Sequence, residues 1–198
     1  AWQGGMADYW PYAHANPAPA KGVNELDKFT RYSELMATSQ GFVVQEILSS
    51  YFFNEHHCVL DVGAGRGRFV CDLAAHAPHL KIKMFDLPPV LALAREYVQA
   101  KGLTDRVSLH PGSFLNDPLP QGADLITLVR VAHDHPDAVV LQILQKAYDA
   151  LPLGGGLLLA EPMAQSKLDG ASGDASVDAY FHFYLLAMGD GRLRTPHE

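Results

Sequence analysis

Apolar residues recur along this chain with two periods. Between Cys58 and Pro162, short apolar runs alternate with longer stretches that carry apolar residues every third or fourth position. The short runs are "CVLDVG" (58–63), "KIKMFDL" (81–87), "RVSLHPG" (106–112), "ADLITLVRVA" (123–132) and "GLLLAEP" (156–162), and each predicts a strand. The intervening "RGRFVCDLAAHAP" (66–78), "PPVLALAREYVQAKG" (88–102) and "PDAVVLQILQKAYDALPLGG" (136–155) predict helices, the second with prolines in its first turn and Gly102 at its end. Upstream, residues 1–22 read as an irregular lead-in. A helical pattern then begins at Asn24 and runs through Leu26, Phe29, Met36, Val43, Val44, Ile47, Leu48 and Tyr51, with Gly41 dividing it into two helices. Downstream, a polar Gly/Ser-rich loop (164–176) leads to an aromatic helix, "VDAYFHFYLLAMG" (177–189). Strands alternating with helices imply the α/β class, with parallel pairing, right-handed crossovers and a doubly wound, Rossmann-like sheet.

Composition narrows the classes. The 198 residues are 48% hydrophobic, enough for one domain with a real core. The formal charge is −7, and no cluster of Lys or Arg marks a nucleic-acid face. No apolar run reaches the roughly 20 residues of a membrane helix, and the opening "AWQGGMADYW" lacks the basic-then-apolar order of a signal peptide. Cys58 and Cys71 are read as free buried thiols, which fits a cytoplasmic location.

The first strand runs directly into "DVGAGRG", placing Asp61, Gly63, Gly65 and Gly67 between strand and helix. Glycines let a backbone approach a ligand, and the following helix offers free N–H groups. A tight turn alone would also use glycine. Dinucleotide enzymes favour G-x-G-x-x-G because a pyrophosphate sits on the helix. The spacing here, with an acid two residues before the first glycine, suits a cofactor with a cationic sulfonium and an amino-acid tail. Asp86 ends the second strand, where it can bond ribose hydroxyls or cap the next helix.

These segments resemble the S-adenosylmethionine-dependent O-methyltransferases of the caffeate, hydroxyindole and carotenoid type. The resemblance rests on "LDVGAGRG" (60–67), "FDLPPV" (85–90), "GSFLNDPLPQGADLITLVRVAHDH" (112–135), "LPLGGGLLLAEPM" (151–163) and "GRLRT" (191–195). "DPLPQGAD", "LVRV", "EPM" and "FYLLAM" look most like the bacterial carotenoid methyltransferases, which methylate the hydroxyl of demethylspheroidene or hydroxyneurosporene. The resemblance implies that the turn around Asp61, Gly63 and Gly65 holds the cofactor's amino-acid end. Asp86, with Leu87, would bind its ribose; Gly112, Ser113 and Phe114 would flank the adenine, with Ser113 where relatives often have Asp. Arg130 would contact the cofactor, His133 would be the general base, and Glu161 would support it. Met36 matches a pocket methionine, and Tyr180, His182 and Tyr184 on the aromatic helix would line the acceptor pocket. A second carboxylate usually precedes "RT" in "GRLRT"; Leu193 stands there. The resemblance also implies a domain division: residues 1–53 lead from an N-terminal dimerisation domain, and 54–198 form the cofactor-binding domain, truncated before its last strands.

The chemistry suits a histidine. A hydroxyl is a weak nucleophile until its proton leaves, and an imidazole accepts that proton near neutral pH if a partner fixes its tautomer. For an aliphatic alcohol, proton removal should accompany methyl transfer. The rest of "HDHPD" (133–137) has plainer readings. Asp134 or His135 can cap the next helix, Pro136 suits its first position, and Asp137 is structural. A metal site would need a third ligand, and none is assigned. Three rivals stay open: a non-catalytic cofactor-binding module, a methyltransferase for a phenolic or polyketide acceptor, and a nucleotide-dependent oxidoreductase.

Overall fold

The computed structural model describes residues 41–164, 185, 191–195 and 197. Met36, Tyr180, His182 and Tyr184, together with the lead-in and nearly all of the aromatic helix, lie outside the described residues. Residues 41–50 are helical (α1). A 3-10 turn, Phe53–Glu55, leads into β1, Cys58–Val62. Then come α2 (Arg68–His76), β2 (Lys81–Asp86), α3 (Pro88–Ala100), β3 (Val107–Pro111) and β4 (Leu125–Val129). A second 3-10 turn (Ala132–Asp134), α4 (Asp137–Ala150) and β5 (Gly156–Ala160) complete the order.

The five strands form one sheet in the order β3-β2-β1-β4-β5, and every pairing is parallel. The chain winds outward from β1 to β3, then crosses back to β4 and β5. The reversal lies between β1 and β4, the place where doubly wound sheets open a crevice. Strand alternation supplies two cores. Val59, Ile82, Met84 and Leu125 pack toward α1, α2 and α3, against Val44, Phe69, Leu73 and Val98. Leu60, Val62, Ile126 and Leu128 pack toward α4, against Ile143 and Ala147. Each fully buried aliphatic side chain contributes roughly 1.5–3 kcal/mol, so these layers anchor the strand ends that carry polar residues. β5 is an edge strand, with Leu157 and Leu159 partly exposed. No helix of the described residues is long and apolar enough to cross a membrane. Both cysteines are free; Cys71 is buried and Cys58 only partly so.

Two expectations at the end of β4 need correction. The strand stops at Val129 rather than Ala132, because Arg130 adopts φ 58° and turns the chain out of the sheet. Val131 and Ala132 are apolar because they are buried, not because they are extended. Pro136 is the residue before α4 rather than its first, and neither Asp134 nor His135 caps the helix.

The glycine turn shows why its residues are glycines. Gly63 has φ 74°, and a Cβ there would lie 2.7 Å from Val131 Cγ2. Gly65 has φ 56° but open space beside it, with nothing within 4 Å of a Cβ. Gly63→Ala should therefore combine left-handed strain with overpacking and cost roughly 2–4 kcal/mol, whereas Gly65→Ala should cost about 1 kcal/mol. Urea unfolding of the two variants measures the difference; equal losses would contradict the close contact with Val131.

Candidate active site

Because the strands are parallel, their C-terminal ends share one edge of the sheet, and a distinctive residue follows each. Asp61 lies near the end of β1, in register with Thr127 of β4, whose hydroxyl donates to Asp61 Oδ1 at 2.7 Å. Asp86 ends β2. Its Oδ2 accepts the Gly65 N–H at 2.8 Å and its Oδ1 the Leu87 N–H at 2.7 Å, so one carboxylate holds the glycine turn and the start of α3 together. Burial pushes the Asp61 carboxyl up to about 7, against the Thr127 hydrogen bond and with help from the charge of Asp86. Burial likewise pushes Asp86 up to about 6, against the two backbone N–H groups.

The segment after β3 is held from α4. Gly112 donates to the Asp86 carbonyl at 3.0 Å and lies on the Phe85 ring, which a Cβ would meet at 2.6 Å. Ser113 is turned into its own loop: its N–H donates to Asp117 Oδ2 and its hydroxyl accepts the Leu115 N–H. Lys146 of α4 donates to the carbonyls of Phe114 and Asp117 at 2.7 and 2.8 Å. Phe114 meets the His135 ring edge-on at 5.2 Å.

The third group surrounds His133, which is buried in the 3-10 turn rather than on the strand. Its Nδ1 lies 2.6 Å from Glu161 Oε2, just beyond β5. Glu161 Oε1 accepts the N–H groups of Val131 and Ala132, each at 2.8 Å, and Oε2 also takes the His133 N–H at 3.3 Å. A carboxylate offers only acceptors, so Nδ1 is the donor and the neutral ring is basic at Nε2. Nε2 faces Asp134 Oδ1 at 3.3 Å, and that buried oxygen has no hydrogen-bond partner. Burial pushes the Asp134 carboxyl up to about 7, opposed by His133 and Arg130 and reinforced by Glu161. His135 is pushed down to about 4, chiefly by burial. Asp137 forms ion pairs with Arg192 and Arg194 at the start of α4.

The structure therefore brings together Asp61, Gly63, Gly65, Asp86 and Leu87, and separately His133 and Glu161, with Val131 against Gly63 joining the two groups. Asp134, one of two candidate caps, is instead folded inward beside the imidazole by the 3-10 turn. Leu193, in place of a carboxylate, is buried, and Arg194 beside it bonds the His133 turn. Lys146, Asp134 and Arg194 carried no periodic or spacing signal; only the "HD" and "GRLRT" strings marked two of them. A cavity of 460 Å³ opens beside this group, bounded by His133, Glu161, Leu144, Leu159, Met163 and Arg192. Among the described residues, no group of three or more His, Cys, Asp or Glu side chains is placed to hold a metal ion.

A family model described as an O-methyltransferase domain matches residues 2–198. The demethylspheroidene O-methyltransferase of Rhodobacter capsulatus is 43% identical over 98% of this chain and 46% of its own length. The protein of the same name from Cereibacter sphaeroides is 37% identical over 98% of this chain and 49% of its own length. The solved structure of the O-methyltransferase NcsB1 from neocarzinostatin biosynthesis, in complex with S-adenosylmethionine and 2-hydroxy-5-methyl naphthoic acid, matches with a TM-score of 0.76 at 25% identity, over 86% of this chain and 49% of that one. The chain thus spans about half the length of the relatives it matches.

The raised Asp61 carboxyl makes a pH prediction. A carboxyl that is harder to ionise when folded stabilises fully below its unfolded value near 4, and that stability is lost as pH rises through about 7. Asp61→Asn keeps an acceptor for Thr127 and removes the buried charge. Relative to the parent, the variant should gain on the order of 2 kcal/mol in thermal unfolding between pH 5 and pH 8. A constant difference across that range would contradict the assignment.

Proposed function

The chain belongs to the O-methyltransferase domain family, and from that premise we propose that it binds S-adenosylmethionine and transfers the methyl group to the hydroxyl of a small apolar acceptor. The acceptor class we propose is a carotenoid alcohol of the demethylspheroidene or hydroxyneurosporene kind, supported by the names of the two relatives above. The same reading makes the acting protein a cytoplasmic homodimer. Residues 1–53 would lead from its dimerisation domain, residues 54–198 would bind the cofactor, and Met36, Tyr180, His182 and Tyr184 would lie on the acceptor side.

The residues fit the cofactor. Gly65 borders open space at the mouth of the turn. Each Asp86 oxygen accepts one backbone N–H and keeps a lone pair for a ribose hydroxyl. In this reading Asp61, Gly63 and Gly65 take the amino-acid end, Asp86 and Leu87 the ribose, Gly112, Ser113 and Phe114 the adenine, and Arg130 makes a further cofactor contact. When bound, S-adenosylmethionine supplies a methyl group activated on a sulfonium and a neutral leaving group.

The observation that carries the catalytic role is the buried Nδ1–Glu161 bond of 2.6 Å. It holds the ring in one orientation and leaves Nε2 to receive the acceptor's hydroxyl proton as the oxygen–carbon bond forms. The imidazolium so produced lies between the carboxyl groups of Glu161 and Asp134. His133→Ala should lower kcat by roughly 10²- to 10⁴-fold while calorimetry shows S-adenosylmethionine affinity within a few-fold of the parent. Undiminished turnover by this variant overturns the base assignment, and cofactor binding by the parent without transfer to any alcohol or phenol favours a non-catalytic module.

A further inference from the structure

The turn that carries His133 has little internal support. Its own backbone bonds are long, Asp134 N–H to Val131 O at 3.2 Å and His135 N–H to Ala132 O at 3.3 Å. Most of the bonds it receives from outside are shorter. Glu161 takes the N–H groups on one side, as described above. On the other side, Arg194 Nη1 donates to the Ala132 carbonyl at 2.8 Å and Nη2 to the His135 carbonyl at 2.9 Å. The same guanidinium bonds Asp137 Oδ1 through Nε and Nη2, and its side chain is only 16% exposed. Arg194 is itself fixed, through a parallel bridge to Met163 and an Ala164 N–H that donates to its carbonyl at 2.9 Å. Three residues earlier, Gly191 lies against the turn: a Cβ there would clash with the His133 carbonyl oxygen and stand 3.1 Å from Asp134 Cα.

We propose that Arg194 is a positioning residue for His133: its planar fork spans the carbonyls on either side of the 3-10 turn and, with the close approach of Gly191, sets where the imidazole points. The inference rests on the reading of His133 as the base. A guanidinium is required because two carbonyls and a carboxylate must be met at once, and a lysine ammonium on a flexible stem meets them only as a point charge. The cofactor cradle lies on the Gly63 side of the turn, so the clamp acts on transfer rather than on cofactor affinity. Small displacements of an aligned group suffice to slow a reaction about 10²-fold.

The test has a readout independent of turnover. A proton in the short Nδ1–Glu161 bond should give a far-downfield ¹H NMR resonance, identified by its loss in His133→Gln. Arg194→Lys keeps the charge beside Asp137 but not the fork. It should lose or strongly shift that resonance and lower kcat at least 10-fold, with calorimetric S-adenosylmethionine affinity within about threefold of the parent. Arg106→Lys is the control: Arg106 makes a similar pair of bonds, Nη1 to the Pro78 carbonyl at 3.0 Å and Nη2 to the Ala74 carbonyl at 2.8 Å, away from the site. That variant should keep the resonance. An unchanged resonance and kcat in Arg194→Lys overturns the proposal, as does a general loss of fold or of cofactor binding in that variant. If His133→Ala instead proves fully active, the base assignment fails, while the resonance still reports whether Arg194 sets the ring.

Discussion

The turn that follows β4 is arranged around the carboxylate of Glu161. A buried carboxylate is costly unless its oxygens are hydrogen-bonded. Glu161 meets that demand by gathering three consecutive N–H groups, from Val131 to His133, and the imidazole Nδ1. The four donors come from a segment that has just left the sheet at Arg130, where the backbone is left-handed. The carboxylate therefore does two things with one set of bonds: it closes the turn and it orients the ring. Its position beyond β5, next to β4 in the sheet, is what allows a residue 28 positions away to reach the turn.

The same economy governs the other half of the site. Asp86 binds the glycine turn and the start of α3, so one side chain fixes both. Asp61, Asp86 and Asp134 are all harder to ionise than free carboxyl groups, in each case chiefly because they are buried. Three such groups at one edge of a sheet carry an electrostatic cost that packing alone would not select. Asp134 is the extreme case, with an oxygen that faces His133 and bonds nothing.

Much of the fold was legible in the chain. The five apolar runs and three of the helices are where their periods put them, because each pattern is a local consequence of which faces are buried. The glycine turn, Asp86 and the His133–Glu161 pair were marked too, by the glycine spacing after the first strand and by the resemblance carried by short strings. The misreading at 130–137 has a plain cause. "VRVA" is apolar throughout, and burial in a turn looks the same in sequence as burial in a strand. "DHPD" has the composition of a helix start, yet Asp134 points inward because a 3-10 turn intervenes before Pro136.

The sequence by itself determined the order of elements, the two faces of each strand and the glycine turn after the first strand, since these depend on residues a few positions apart. Only the tertiary structure decided the bend at Arg130, the tautomer of His133, the isolation of Asp134 and the clasp of Arg194. Each of those depends on groups that meet from distant parts of the chain, Glu161 on one side of the turn and Gly191 and Arg194 on the other. Contacts of that kind leave no period in a sequence, because it is the packing of β4 against β5 that brings the partners within reach.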